Sequence, residues 1–303
     1  MARVLVAGGS GFIGRALVAR LLERKDEVTV LTRGDAGSKG GVRYTRWDPR
    51  DRSAPALGGD YDAVVNLAGE QAVGVRYTER TKAGILNSRV ESTEWLVAAL
   101  ERAAHQPRVF VAGSAIGYYG SVLDPTRVDE SAPAGSDFLA LVCVAWEAAA
   151  VRAESFGVRV VRARTGIVLS EQGGPLESLL RPFKLFVGGP IGSGRQGFSW
   201  IHLDDEVAAL LRCIDDEALR GAVNLCAPEP TSNGELSRLI GERLGRPAFF
   251  KAPALALKVL FGEGAEPLLG GQWGVPRALL EVGFVFRYPD IQSALRAVLG
   301  ARA

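Results

Sequence analysis

Cysteine and histidine are scarce in this chain of 303 residues, with three of the first (Cys143, Cys213, Cys226) and two of the second (His105, His202). An odd number of widely spaced thiols makes no disulfide framework, and so few imidazoles leave a zinc cluster without ligands. No metal is expected, and the thiols fit a reducing, cytoplasmic setting. Excess charge is also lacking: 36 Lys and Arg against 34 Asp and Glu leave +2 overall. That gives no field to gather nucleic acid or a membrane surface. Long apolar runs are missing too, since the longest uncharged one, Phe138 to Trp146, is about half of the roughly 18 residues a membrane span needs. The apolar start, Met1 to Leu22, is interrupted by Gly8, Gly9, Gly11 and Gly14 and by Arg15 and Arg20, so it reads as a strand and a helix and not as a leader. There is no internal repeat and no low-complexity segment. What is present, at 47% hydrophobic residues, is enough apolar material for one large or two medium domains. The expected partner is a small molecule.

Short β-rich runs alternate with longer amphipathic ones. Arg3 to Ala7, Glu27 to Leu31, Ala63 to Leu67, Arg108 to Ala112 and Val158 to Arg162 read as strands buried on both faces, with helices near 79–103 and 137–156. Repeated strand, helix, strand order implies an α/β fold with a doubly wound parallel sheet of the Rossmann type. After about residue 165 the rhythm loosens into Gly-Pro-rich segments (173–175, 188–190, 192–197), the usual setting of substrate loops. Helical patterns return at Asp204 to Asp215 and Ser232 to Leu244, the latter with Ser232 and Glu235 in capping-box spacing. The tail, 254–303, adds two or three short helices. The expected division is a dinucleotide-binding domain over 1–165 and a smaller, mostly helical substrate domain over 166–303, with segments near 198–225 packing back on the first.

Residues 4–14 read Val-Leu-Val-Ala-Gly-Gly-Ser-Gly-Phe-Ile-Gly, a strand, a tight turn and an immediate helix. In this pattern Gly8 permits the turn, Gly11 admits a pyrophosphate to the backbone amides of the Phe12-Ile13 helix start, and Gly14 lets helix and strand lie close. At the end of the second strand, where an acidic side chain would hold the ribose 2′-hydroxyl of NAD, stands Arg33, whose guanidinium suits the 2′-phosphate of NADP. NADP(H) is therefore the preferred cofactor, and Asp35 nearby leaves NAD(H) open. Asp48 is positioned for the adenine amino group, and Leu67, Ala68, Gly69 and Glu70, after the fourth long strand, for the ribose and nicotinamide.

With Gly-Gly-Ser-Gly-Phe-Ile-Gly at 8–14, Asn-Leu-Ala-Gly at 66–69, Ser-Ala-Ile-Gly-Tyr-Tyr-Gly at 114–120 and Ile-His-Leu-Asp-Asp at 201–205, the chain resembles the extended short-chain dehydrogenase/reductases. Together with residues 137–150 and Gly-Phe-Val-Phe-Arg-Tyr-Pro at 283–289, these motifs are similar to an atypical bacterial "epimerase family" subgroup with a helical C-terminal extension. The resemblance covers nearly the whole chain. It implies a Ser or Thr that polarises a carbonyl, a Tyr that moves a proton and a Lys that lowers the pKa of that Tyr. Aligning on Glu147 puts Cys143 at the Lys position and Leu139 at the Tyr position, and neither substitutes. Ala115 or Ser114 occupies the Ser position, depending on the anchor; Ser114 reads as a cofactor contact. Tyr118 and Tyr119 follow on the same loop, each either a proton donor or an aromatic wall. Glu147 and Glu70 read as buried ion-pair partners, and His202 as a structural histidine. The diphosphate-clamping Arg that the family carries is replaced by Phe198. Arg195 is the nearest alternative anion group, while Phe183, Phe186, Phe198 and Trp200 suit a less charged ligand.

Two functions follow. The first is an NADP(H)-dependent oxidoreductase or epimerase-like enzyme that acts on a small carbonyl or hydroxyl compound without the Tyr-x-x-x-Lys pair. The second is a non-catalytic, NADP(H)-sensing regulatory or scaffold protein. By analogy with the family, a homodimer through the helices near 79–103 and 137–156 is expected.

Overall fold

The structure is a computed structural model and describes residues 1–50, 57–123 and 125–300. Strands β1 (Arg3–Ala7), β2 (Glu27–Thr32), β3 (Gly37–Lys39), β4 (Val42–Arg46), β5 (Ala63–Asn66) and β6 (Val109–Ala115) come first. The short β7 (Arg127–Val128), β8 (Arg159–Thr165), β9 (Ile167–Leu169), β10 (Gly197–Phe198), β11 (Trp200–His202), β12 (Gly221–Leu225), β13 (Thr231–Ser232) and β14 (Trp273–Gly274) follow. One eight-stranded sheet runs β12-β8-β6-β5-β1-β2-β4-β3. All its pairings are parallel except β3 on β4. The α/β reading holds, and the antiparallel edge strand β3 was not anticipated.

The central strands are apolar on both faces because each face has its own core. Val4 and Val6 of β1 point into one, with α1 (Phe12–Glu23) and α5 (Leu203–Asp215); Leu5 and Ala7 point into the other, with α2 (Glu79–Glu101) and α3 (Phe138–Val151). This is the period-two split expected of a strand covered by helices above and below. Helix α3 stops at Val151 and tightens into a 3-10 turn, Arg152–Phe156, closed by Gly157 at φ 87°.

A third core gathers α4 (Pro175–Lys184), α6 (Asn233–Leu244) and α10 (Ile291–Leu299) around Phe183, Phe198 and Trp200. Helix α4 lies where the glycine-rich sequence suggests loops; Pro175 at its first position is a helix-start signal within that stretch. Ser232 caps α6 by accepting from the Glu235 amide, as its spacing predicts. The tail holds α7 (Ala254–Phe261), α8 (Glu266–Leu269), α9 (Arg277–Glu281) and α10, more helices than expected; residues 301–303 of that expectation lie outside the described ones. Among the described residues no helix is long and apolar enough to cross a membrane, and no group of His, Cys, Asp and Glu is fit to hold a metal.

Candidate functional site

The C-terminal ends of β1, β2, β5 and β6 converge on the glycine turn. Gly8 has φ 77°, and a Cβ built on it would stand 2.6 Å from the carbonyl carbon of Leu67, so the turn presses directly on the end of β5. A Cβ on Gly14 would stand 2.1 Å from the Gly8 carbonyl oxygen, which is why helix and strand approach so closely. Above Gly11 the space is open apart from that same oxygen. No side chain caps α1, so the amides of its first turn, those of Phe12 and Ile13 among them, keep their positive end for whatever lies over the turn. The Phe12 ring packs on the backbone at Gly173 and Gly174, tying the turn to the start of α4.

Arg33 follows β2 in solvent and, among the described residues, bonds to no carboxylate or carbonyl. Asp48 is held by Arg50, which donates from Nε at 3.0 Å and Nη2 at 2.9 Å. Those bonds pull its carboxyl down to about 2, so it stays an acceptor at any ordinary pH. On the other side of β1, Asn66 shapes the end of β5. Its Nδ2 donates to Thr93 (3.0 Å) and its Oδ1 accepts from the Ala68 amide (3.1 Å), which turns Leu67-Ala68-Gly69 across the sheet edge. Glu70 is exposed and anchored by its amide on Ser88, not buried in an ion pair as expected.

Beneath the loop after β6 lies a buried polar network. Ser114 donates to Glu147 Oε1 at 2.7 Å, and Arg164 from β8 grips the same carboxylate through Nε and Nη2, with Arg162 adding a bond at 3.2 Å. Glu147 is thus the buried ion-pair partner that the sequence suggests. Ser114, expected to polarise a carbonyl or touch cofactor, has its one proton committed here and is left as an acceptor. Tyr119 is corrected more sharply. Its hydroxyl donates to Asn224 (2.8 Å) and accepts from Arg164 (2.9 Å), and burial pushes it up to about 12 against the pull of Arg164. It is a buried strut and not a proton donor to a ligand. Tyr118 is half-buried, with its ring face 3.4 Å from the Arg164 guanidinium carbon and no bond on its hydroxyl among the described residues.

Cys143 is buried behind Ala115, and burial, with the Glu147 charge, pushes its thiol up to about 11, so it is inert. Leu139 faces the Gly117 turn with no proton to offer. His202 caps α5 by accepting from the Asp204 amide and stacks on Tyr288, while burial lowers its pKa: a structural histidine. Phe183, Phe198 and Trp200 are buried in the C-terminal core, whereas Phe186 and Arg195 are exposed.

Against known proteins, residues 4–226 match the model of the NAD dependent epimerase/dehydratase family. The chain belongs to that family. Residues 252–298 also match a domain of unknown function, DUF1731. The family protein Mb2239 of Mycobacterium bovis is 41% identical over 295 residues, covering 96% of both chains. The Arabidopsis thaliana SDR39U1 homolog, described as chloroplastic, is 37% identical over 308 residues, 98% of this chain and 86% of its own. Among solved structures, human epimerase family protein SDR39U1 with NADPH has a TM-score of 0.87 at 35% identity, covering 98% of this chain and 99% of that one. The atypical subgroup and its C-terminal extension, expected from the motifs, are thereby shown.

Proposed function

We propose that this chain binds NADP(H) across the C-terminal edge of its sheet and is an epimerase-like oxidoreductase acting on a small carbonyl or hydroxyl compound. The observation that carries the reading is the uncapped start of α1 behind the Gly8–Gly14 turn, with the free Arg33 beside it. A Cβ at Gly8 would strike the Leu67 backbone and one at Gly14 the Gly8 carbonyl oxygen, so these glycines hold the tight turn, while the space above Gly11 stays open at the start of α1, and the residues present fit a dinucleotide. The human relative crystallised with NADPH supports the choice of NADP(H). Gly11 and the amides of Phe12 and Ile13 would hold the pyrophosphate, Arg33 the 2′-phosphate and Asp48 the adenine amino group. Leu67, Ala68, Gly69 and Glu70 would flank the ribose and nicotinamide, with Ser114 accepting a bond from below.

When bound, the nicotinamide ring supplies hydride transfer. Tyr118 is the group left to move a proton, since its hydroxyl is uncommitted and its ring is fixed on the Arg164 cation. The specific observation favouring the second reading, a cofactor sensor without chemistry, is that the protons of Ser114 and Tyr119 are both spent inside the protein. Calorimetric titration with NADPH, followed by release of label from 4-tritiated NADPH with a panel of carbonyl compounds, separates the two. Binding with label release supports the enzyme, binding without release the sensor, and no binding sinks both.

A further inference from the structure

Arg89, at the middle of α2, gives no sign of itself in its sequence setting. Its guanidinium lies against the end of β5, for a Cβ built on Gly69 would stand 3.2 Å from its Cζ. On the far side it faces Trp146, 5.3 Å from the ring centre. The Cys143 thiol and the Tyr77 hydroxyl both feel its charge. It is half-buried, and burial lowers its pKa, yet among the described residues its guanidinium makes a single hydrogen bond, Nη1 to the Ile85 carbonyl at 3.1 Å. Among the described residues no Asp or Glu pairs with it, and Glu70 acts on it only through space.

Other sheltered arginines of this fold are treated differently. Arg164 has Glu147 and Tyr119, Arg24 has Asp26 and Asp215, and Arg159 donates to three carbonyls at the end of α5 and beyond it. A guanidinium partly out of water with most of its donors uncommitted is costly unless something accepts from them.

Its place in the sheet says what that is. Strands β2 and β5 flank β1 on opposite sides. Arg33 follows β2, Arg89 lies against Gly69 in the loop after β5, and the Gly8 turn sits between them. A dinucleotide with its phosphates over the turn and its 2′-phosphate at Arg33 brings its second nucleoside to Arg89. Resting on the NADP(H) reading above, we infer that Arg89 binds the ribose of the nicotinamide half, its planar fork of donors meeting the vicinal hydroxyls. Arg89 thus delivers from α2 a cation to the neighbourhood of Cys143, the α3 position at which the resemblance would have put a lysine.

The test uses three ligands on the full chain: NADPH, NADH and adenosine 2′,5′-bisphosphate, which has the adenosine half alone. Arg89→Met should weaken NADPH and NADH by the same factor, about 10- to 100-fold, and leave the bisphosphate unchanged. Arg89→Lys, which keeps the charge and loses the fork, should fall between. Unchanged NADPH binding in R89M overturns the assignment, as does an equal loss for all three ligands, which is the mark of a distorted fold. A wild-type chain that binds none of them fails earlier, on the cofactor reading itself. Should R89M not fold, R89K decides alone: the same selective loss supports the assignment, and wild-type affinity for NADPH and NADH overturns it.

Discussion

Arg164 and Glu147 meet in two parallel bonds, Nε to Oε1 at 2.8 Å and Nη2 to Oε2 at 2.9 Å, with side chains only 3% and 4% exposed. Both charges have left water, so the pair is held by its geometry and by the bonds that Ser114, Arg162 and Tyr119 add around it. It also sets the face on which Tyr118 lies, and with it the floor of the candidate site.

Removing one partner is therefore worse than removing both. Glu147→Gln should cost about 3–5 kcal/mol in urea unfolding, because it strands the Arg164 charge among buried groups. The Glu147→Leu, Arg164→Met double variant should lose less. A single substitution within 1 kcal/mol of wild type would show that the pair is not closed in solution.

The two neighbouring tyrosines should respond in opposite ways. Tyr119→Phe leaves Asn224 Oδ1 and Arg164 Nη1 short of a partner and should cost about 1–3 kcal/mol, seen in the melting curve. Tyr118→Phe should leave stability nearly unchanged and lower any carbonyl reduction by about 10² to 10⁴. Full activity in Y118F would dismiss it as the proton donor.

Arg33→Asp reverses the charge at the end of β2. NADPH should bind about 10- to 100-fold more weakly and NADH no more weakly than before, because only the former has the 2′-phosphate. Calorimetric titration with both reads the ratio, and an equal loss for the two would place the 2′-phosphate elsewhere.

Glu206 is fully buried on α5, accepts from Thr165 at 2.8 Å through one oxygen, and has no partner on the other among the described residues. Burial pushes its carboxyl up to about 8, against an unfolded value near 4.5. Between those values the folded chain holds a proton that the unfolded chain has released, so stability declines as pH rises from about 4.5 through 8. Glu206→Gln should remove that slope and be more stable than wild type by a few kcal/mol at pH 8. Parallel pH profiles of the two melting temperatures would contradict it.

Much of this architecture is readable in the chain. Runs such as Val4-Leu5-Val6 and Val109-Phe110-Val111 have no polar face, and only a strand between two helical layers accepts that. Gly8, Gly14 and Arg33 announce themselves because a tight turn, a close approach and a charge at a strand end are local matters. The buried network is not local: Tyr119 and Asn224 are 105 positions apart, and Ser114 and Glu147 are 33. One hint was available, since Arg162 and Arg164 flank Ala163 in a strand that is otherwise buried over Val160, Val161 and Ala163, and a charge in a buried strand requires a partner. For Arg89 there was none. An arginine on a helix that also carries Arg80 and Lys82 looks like one more solvated cation until the neighbouring Gly69 and Trp146 are seen.

Glu130 uses one carboxylate oxygen to accept the amides of both Asn224 and Ala278, at 2.9 and 3.2 Å, while the Asn224 side chain donates to the Val275 carbonyl at 2.9 Å. Asn224 belongs to the segment matched by the epimerase model, and Val275 and Ala278 to the segment matched by the other. The seam between the two descriptions is thus sewn by the residue that also receives the Tyr119 proton. A chain cut between 226 and 252 would carry the glycine turn but lose the backing of the floor of its candidate site, so the C-terminal extension behaves as a missing wall of the first module and not as a passenger behind it.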